Sequence, residues 1–323
     1  MGYGFLIFLG LVVIVVGYLA VAPPNLGALA SHPQPAADYA EAAQRVAALQ
    51  AQDTPGVNSE CVTRFLTHGQ KTDRVIVFIH GYTNCPQQFA QLGQQFYDLG
   101  YNVLMARMPH HGLTDRLTND LTNFTAEEMV VFGDQLVDAA AGLGDHVTVT
   151  GLSGGGVVTG WLAQQRAEVD QAVLIAPGFG LKPIPAPATL LITNAVLRLP
   201  DSFSWWDPRH PDYGTGGAMA HAYPRFSFHG LAQQLRLGFA TRALAQRTAP
   251  AAGSILIVTL ANDFSVDNAA AARVAADWRA HGSNVTAYEF PAALGLGHDL
   301  IDPGQPNQQV KVVYPKLVDL ITQ

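Results

Sequence analysis

One serine in this sequence lies in a pattern suited to covalent catalysis. Gly151, Leu152, Ser153, Gly154 and Gly155 match G-x-S-x-G, in which the serine occupies a tight turn between a strand and a helix. An apolar segment precedes the turn and small residues follow it. The glycines allow a strained backbone and avoid collisions with neighbouring elements. The pattern predicts Ser153 as a nucleophile; the alternative is a glycine-rich loop that only joins a strand to a helix.

A serine hydroxyl is a weak nucleophile until a base takes its proton. His298, in the segment LGLGHDL, follows the last apolar strand-like run and lies after the serine, which is the chain order expected around a nucleophile elbow. His281 also lies downstream, but it stands before Gly282 at a predicted helix end, where capping is the simpler explanation. We therefore predict His298 as the general base.

The third catalytic group should be a carboxylate that orients the histidine. Asp263 lies two residues beyond the strand-like run SILIVTLA, at the edge where open parallel sheets gather their active sites. Asp267 is the rival, although it is better placed to cap the helix that follows. Asp263 is the predicted acid.

Acyl transfer also needs hydrogen-bond donors for the oxygen that becomes negative. The backbone amide of Gly154, next to the nucleophile, is one predicted donor. The second is the amide of Tyr82, in the turn after the run RVIVFIH. His80, at the end of that run, is predicted to be structural.

Short apolar runs alternate with amphipathic segments from residue 74 onwards, which is typical of a parallel sheet covered on both faces. The predicted fold class is α/β, with a doubly wound, mostly parallel sheet. The predicted strands are 74–80, 101–107, 146–151, 171–176, 254–261 and 284–290; the predicted helices are 86–100, 125–143, 154–166, 267–281 and 306–321.

Residues 59–323 are predicted to form one catalytic domain. Within it, residues 177–252 are too long for a simple crossover and carry Trp205, Trp206, Phe226 and Phe228, so we interpret them as a largely helical cap. Ahead of the domain, residues 23–58 are interpreted as a tether rich in Pro, Ala and Gly over 23–37, followed by a helix over 38–52.

The N-terminus carries no charge from Tyr3 to Ala22, a length that matches a bilayer core of about 30 Å. Residues 1–22 are therefore predicted to be a transmembrane anchor. The alternative is a signal peptide cleaved after Ala30, although the apolar run is long and no basic residues precede it. Localisation is predicted as membrane-anchored with the catalytic domain outside the cytoplasm, or else secreted.

Cys61 and Cys85 are the two cysteines of the chain. In an exported protein such a pair forms a disulfide, whereas in the cytosol it stays reduced. Both states remain open from sequence, and the apolar N-terminus favours the disulfide.

The charge balance excludes some partners. The net charge is −7, from 18 Lys and Arg against 25 Asp and Glu, and no basic block is present to bind a phosphate backbone. We expect no nucleic-acid partner, no cofactor and no metal.

Several motifs in order, VIVFIHGYTNCPQQF, RMPHHG, GLSGGG, LANDFSV and LGLGHD, resemble the α/β-hydrolase superfamily, in its serine esterase, monoacylglycerol-lipase-like and serine-aminopeptidase-like branch. The resemblance covers about residues 59–323. It implies a carboxylic ester hydrolase or lipase with a mobile cap over residues 177–252. It also implies a Ser153, Asp263 and His298 triad and oxyanion amides from Tyr82 and Gly154.

The sequence departs from the related pattern G-H-G at one point, where it reads Pro109-His110-His111-Gly112. This departure places His110 either near the pocket or on the surface.

Three functions compete. Hydrolysis of small esters with an apolar acyl or aromatic group is favoured by the aromatic residues of the cap. A serine peptidase or amidase would need acidic residues to hold a substrate ammonium, and the cap offers Asp201, Asp207 and Asp212. The third function is an inactive binding module, against which the intact set of catalytic residue types argues.

Overall fold

A computed structural model describes residues 2–21, 26, 29–206, 220–305 and 307–323. The strands are β1 (Arg64–Leu66), β2 (Thr72–Ile79), β3 (Asn102–Ala106), β4 (Gly144–Leu152), β5 (Gln171–Ile175), β6 (Phe203–Trp205), β7 (Arg225–Ser227), β8 (Ser254–Leu260) and β9 (Val285–Phe290). The helices are α1 (Gly2–Val21), α2 (Tyr39–Gln50), α3 (Ala90–Asp98), α4 (Ala126–Leu143), α5 (Gly154–Gln165), α6 (Ala186–Val196), α7 (Phe228–Ala245), α8 (Asn268–Ala280) and α9 (Val310–Thr322). Short 3₁₀ helices lie at Pro86–Phe89, Asp120–Asn123 and Ala292–Leu294.

The central sheet has seven strands in the order β1-β3-β2-β4-β5-β8-β9. Every neighbouring pair is parallel except β1 with β3. The predicted doubly wound, mostly parallel sheet is therefore confirmed. The antiparallel edge strand β1 was not predicted, because three residues carry too little periodicity to be recognised. Strand β4 lies in the middle, so the loop at its carboxyl end is in the position where such sheets hold their active sites.

Alternate side chains of β2 enter two separate hydrophobic cores. Val75, Val77 and Ile79 pack in a core that also contains buried residues of α2, α4, α5, α7 and α8. Ile76 and Phe78 pack in a second core together with α3 and α9. Successive side chains of a strand point to opposite faces, so a wholly apolar strand needs helices on both sides. This burial explains why the strands read as continuous apolar runs.

The predicted cap over residues 177–252 contains α6, a two-stranded antiparallel hairpin of β6 and β7, and α7. The hairpin was not predicted. Asp207 and Asp212 lie outside the described residues. The insertion is not wholly separate from the body, because Leu237 and Ala240 of α7 are buried in the core that covers the sheet.

The segment predicted to be a tether is partly packed. The amides of His32 and Gln34 donate to the carboxylates of Asp134 and Asp138 on α4, at 2.7 and 2.9 Å. The same carboxylates bind the fully buried guanidinium of Arg166. Two buried carboxylates need more hydrogen-bond donors than one arginine offers, and the segment supplies them. The tether prediction was therefore wrong for residues 29–37.

Helix α1 precedes this segment. Its described side chains, from Tyr3 to Tyr18, are exposed and apolar, and the guanidinium of Arg198 lies 5.9 Å from the ring centre of Tyr18. No helix within the described part of the chain is long and apolar enough to cross a membrane. The transmembrane span predicted for Tyr3 to Ala22 is therefore not supported, and Ala22 lies outside the described residues.

Candidate active site

Ser153 occupies a strained turn between β4 and α5. Its backbone has φ 55° and ψ −111°, a conformation that costs a non-glycine residue about 1–3 kcal/mol. A side chain at Gly151 would overlap the carbonyl of Gly155, and one at Gly155 would overlap the carbonyl of Ile79 on β2. The Ser153 amide donates to the carbonyl of Ile175 at 2.9 Å, which helps to hold the turn. The strand, turn and helix required by the motif are all present.

Asp263 and His298 are brought together although 35 residues separate them. Oδ2 of Asp263 lies 2.8 Å from Nδ1 of His298. Oδ1 accepts hydrogen bonds from the amides of Ser265 and Val266, at 2.8 and 3.1 Å. Asp263 is 5% exposed, so its carboxylate has a fixed orientation. With Nδ1 engaged, Nε2 is the imidazole nitrogen available to the cavity that both His298 and Ser153 line.

The contact between Asp263 and His298 favours the charged form of each residue, so the pKa of the carboxyl group is lowered and the pKa of the imidazole is raised. Burial alone would raise the pKa of Asp263, but the hydrogen bond and charge of His298 and the two amides outweigh it and lower that pKa. Burial alone would lower the pKa of His298, but Asp263 outweighs it, so that the pKa of the imidazole is raised. A carboxylate that stays ionised stabilises an imidazolium, which is the species formed when a histidine accepts a proton.

The two rival residues have other roles. Asp267 caps α8, where its side chain accepts from the amide of Ala269 at 3.0 Å. It also lies 3.3 Å from the guanidinium of Arg273. His281 stands at the C-terminal cap of α8, as predicted. Neither is paired with His298.

The predicted oxyanion amides lie near each other. A Cβ added to Gly154 would be 3.3 Å from the backbone nitrogen of Tyr82, so the loop after β2 approaches the start of α5 closely. The Tyr82 hydroxyl donates to the carbonyl of Ser227 at 2.9 Å, and burial raises the pKa of that phenol. The tyrosine side chain therefore anchors the loop while its amide lies beside the nucleophile.

The cap is bonded directly to this loop. Thr83, with φ 66°, accepts at its carbonyl from the amide of Tyr223 at 2.7 Å. Its hydroxyl accepts from Nε1 of Trp206 at 2.8 Å. Both donors lie in the insertion, so the positions of the cap and of the Tyr82 amide are coupled.

Two further polar residues join the catalytic loops, and sequence reasoning missed them. Gln88 accepts at Oε1 from the amide of Gly81 at 2.8 Å and donates from Nε2 to Asp299 at 3.1 Å. Asp299 follows His298 and also accepts from Gln305 at 2.9 Å. Burial raises the pKa of Asp299. The only sequence signal was the acidic residue directly after the histidine.

The other histidines of the early catalytic domain do not line the cavity. His80 is fully buried, and this burial lowers its pKa to about 3. It accepts from the amide of Met108 at 3.1 Å, which fits its predicted structural role. His110 is partly buried between Asp120 and Glu128, at 2.9 and 3.1 Å. Burial alone would lower its pKa, but the two carboxylates raise it.

The cavity has a volume of about 770 Å³, which falls within the usual range of ligand pockets. Apolar side chains line much of it, including Leu181, Trp206, Phe226, Leu231, Leu235 and Phe264. Asp201, one of the acidic cap residues, does not line the cavity and binds Thr122 and Ser227 instead. Within the described part of the chain, no group of three His, Cys, Asp or Glu side chains is arranged to hold a metal ion.

The disulfide favoured by the sequence is present between Cys61 and Cys85. Both cysteines are fully buried. Cys85 directly follows the loop that carries Tyr82 and Thr83, and it precedes the 3₁₀ helix Pro86–Phe89. The bond therefore fixes one end of the loop beside the nucleophile.

Comparisons with known proteins find enzymes that are similar to part of this chain. The sequence profile of the family described as serine aminopeptidase, S33, matches residues 70–212. A thermostable monoacylglycerol lipase of Bacillus sp. (strain H-257) is 27% identical over 120 residues, which are 35% of this chain and 44% of the lipase. Phospholipase YtpA of Bacillus subtilis (strain 168) is 32% identical over 117 residues, again 35% of this chain and 44% of the relative. The chain thus matches less than half the length of these two curated relatives.

The fold is similar to solved structures over a longer range. The monoacylglycerol lipase of Paleococcus ferrophilus superposes with a TM-score of 0.58 at 15% identity, covering 80% of this chain and 96% of that one. The order of the sheet, the strained serine turn after β4 and the Asp–His pair beyond β8 occur together in one chain. The chain has the α/β-hydrolase fold.

Proposed function

We propose that this protein is a serine hydrolase that cleaves carboxylic esters through an acyl-enzyme. The observation that carries the proposal is the 2.8 Å contact between Asp263 and His298, in a cavity that Ser153 also lines. In this assignment Ser153 is the nucleophile, His298 the general base and Asp263 the acid that orients it. The similarity to a monoacylglycerol lipase and a phospholipase supports ester substrates.

Each step of the proposed reaction is assigned to a named group. Ser153 Oγ attacks the ester carbonyl while His298 Nε2 takes its proton, and Asp263 stabilises the resulting imidazolium. The amides of Tyr82 and Gly154 donate to the carbonyl oxygen as it becomes negative. His298 then protonates the leaving alcohol, and the acyl group remains on Ser153. Water, deprotonated by His298, attacks the acyl-enzyme and releases the carboxylic acid.

The cavity favours an apolar acyl or aromatic group. The rings of Trp206 and Phe226 lie 4.3 Å apart and both line the cavity, as does Phe264. Transfer of apolar surface from water to such a wall is worth about 25 cal/mol per Å². We expect kcat/KM to rise with acyl length until the chain fills the pocket.

The test is hydrolysis of nitrophenyl esters from acetate to palmitate, together with labelling by a fluorophosphonate. Ser153→Ala should abolish both hydrolysis and labelling without altering the melting temperature. The matched control is Ser265→Ala, because Ser265 also lines the cavity but contacts Asp263 through its backbone amide. Labelling that survives Ser153→Ala would place the nucleophile elsewhere.

Peptide or amide cleavage is the second candidate, favoured by the match to the serine aminopeptidase profile over residues 70–212. An aminopeptidase needs an acidic group for the substrate ammonium. Asp201 already accepts four hydrogen bonds, so the described cap contributes no free carboxylate from that position. An aminoacyl anilide assayed beside the esters separates the two activities. A folded wild-type protein that cleaves neither the esters nor the anilide would instead favour a binding module.

We also propose that the catalytic domain acts outside the cytoplasm, either anchored by its N-terminus or secreted after cleavage at Ala30. The Cys61–Cys85 bond supports an oxidising compartment. The proposal of an anchor is based on the sequence from Tyr3 to Ala22, which contains no charged residue. Carbonate-washed membranes should retain an anchored protein, whereas a soluble form beginning at Ser31 would establish cleavage. Two free thiols in protein alkylated at harvest would contradict export.

A further inference from the structure

Gln234 on α7 presents a buried polar group that the catalytic steps above leave unused. Its side chain is 5% exposed and lines the same cavity as Ser153 and His298. Its Nε2 atom is buried and has no hydrogen-bond partner within the described part of the chain. Buried donors are almost always partnered. Gln234 lines the cavity, so a bound molecule can supply the missing acceptor once the carboxamide turns its nitrogen towards the cavity.

The side chain of Gln234 lies close to both predicted oxyanion residues. A Cβ added to Gly154 would overlap Oε1 of Gln234, and it would lie 3.0 Å from Cδ of Gln234 and 3.3 Å from the nitrogen of Tyr82. The carboxamide and the Tyr82 amide thus approach one point beside Gly154. Glycine at 154 is what allows α7 to bring a side chain so close to the nucleophile.

The orientation of the carboxamide is adjustable. Its oxygen and nitrogen exchange places by rotation about the last side-chain bond. Because no described residue holds Nε2, this rotation breaks no existing bond of the donor. The N–H of Gln234 can therefore turn towards the space beside Gly154 when an oxygen atom occupies it.

We propose that Gln234 donates a third hydrogen bond to the ester carbonyl oxygen, beside the amides of Tyr82 and Gly154. This assignment rests on the proposed ester hydrolysis. The oxygen gains negative charge as Ser153 attacks, and a hydrogen bond to a charged acceptor is stronger than one to a neutral carbonyl. Gln234 therefore stabilises the transition state more than the bound ester, and it acts on kcat rather than KM. The donor keeps its proton throughout.

The test uses the full chain with Gln234→Met and Gln234→Leu, which replace the carboxamide donor by an apolar side chain of similar size. Gln233→Leu is the matched control, because Gln233 is the next residue on α7 and bonds Arg236 instead. Loss of one oxyanion donor should lower kcat by about 10²–10³-fold. KM should change by less than about threefold, as expected for an interaction made only in the transition state.

A second measurement distinguishes a donor from a structural residue. A trifluoromethyl ketone mimics the oxyanion, so its inhibition constant should rise in Gln234→Met by a factor similar to the fall in kcat. Unchanged kcat in both folded variants overturns the assignment, and so does a higher KM at constant kcat, which would mark a residue that only binds the substrate. A wild-type protein that hydrolyses no ester and takes up no fluorophosphonate overturns the proposed function itself, and this outcome is visible before any variant is assayed.

Discussion

Gln88 and Asp299 are joined by a hydrogen bond of 3.1 Å, which connects the loop beside the nucleophile to the loop that carries His298. The other end of the Gln88 carboxamide accepts from the amide of Gly81, next to Tyr82. Gln88 is fully buried. One side chain thus bonds both the loop of the predicted oxyanion amide and the loop of the predicted base.

Replacement of Gln88 by Leu should therefore impair both stability and catalysis. The variant leaves the Gly81 amide and one Asp299 oxygen without this partner, which should cost about 1–3 kcal/mol of unfolding free energy. Misplacement of the loops should lower kcat by at least about tenfold. Urea denaturation and ester kinetics measure the two effects. Gln94→Leu is the control, because the hydrogen bond of Gln94 to Asp98 is exposed. Equal kcat values for the two variants would argue against the coupling.

The predictable part of the site consists of residues with a local sequence signal. Ser153 is marked by its flanking glycines, and Asp263 and His298 each follow a recognisable strand. Gln88 and Gln234 carry no such signal. Their positions matter only because folding brings α7 to Gly154 and the 3₁₀ helix Pro86–Phe89 to the histidine loop.

The same distinction applies to the fold. Wholly apolar strands and amphipathic helices predicted the sheet and its covering layers correctly, since burial on both faces leaves a strong pattern. Residues 29–37 were misread as a tether because their composition is that of a linker. Their packing depends on hydrogen bonds from backbone amides to Asp134 and Asp138. Almost every residue type carries a backbone amide, so the sequence gives no sign of these bonds.

Replacement of Asp263 by Asn should lower kcat by about 10⁴-fold, the effect expected when the carboxylate of a triad loses its charge. Asp267→Asn removes the charge of a residue four positions away that caps α8, and Asn caps a helix about as well as Asp, so this variant should leave both kcat and stability nearly unchanged. Ester kinetics and thermal melting of both variants provide the comparison. A larger loss of kcat in Asp267→Asn would transfer the role of the acid to that residue.

The pH dependence of kcat/KM should follow the raised pKa of His298. General base catalysis requires the neutral imidazole, so activity should fall as the pH decreases through this pKa. Burial opposes the protonated form, but the hydrogen bond and charge of Asp263 favour it more strongly. Asp263→Asn removes that charge, so the midpoint of the acidic limb should move to lower pH. An acidic limb that keeps its midpoint in the variant would show that another group controls it.

The last test concerns residues 29–37 and asks whether this segment is a packed part of the domain or a tether. Removal of residues 1–28 leaves every described contact of Ser31, His32 and Gln34 with Asp134 and Asp138. Removal of residues 1–37 deletes those donors while the buried Arg166 keeps its ion pairs. Hydrogen bonds to charged groups are worth about 1.5–3 kcal/mol each, so the longer truncation should lose at least about 2 kcal/mol of unfolding free energy relative to the shorter one. Urea denaturation of both proteins measures the difference, and short-ester kinetics report whether the site survives. Superimposable denaturation curves would mean that residues 29–37 add no stability, and the earlier interpretation of them as a tether would then be restored.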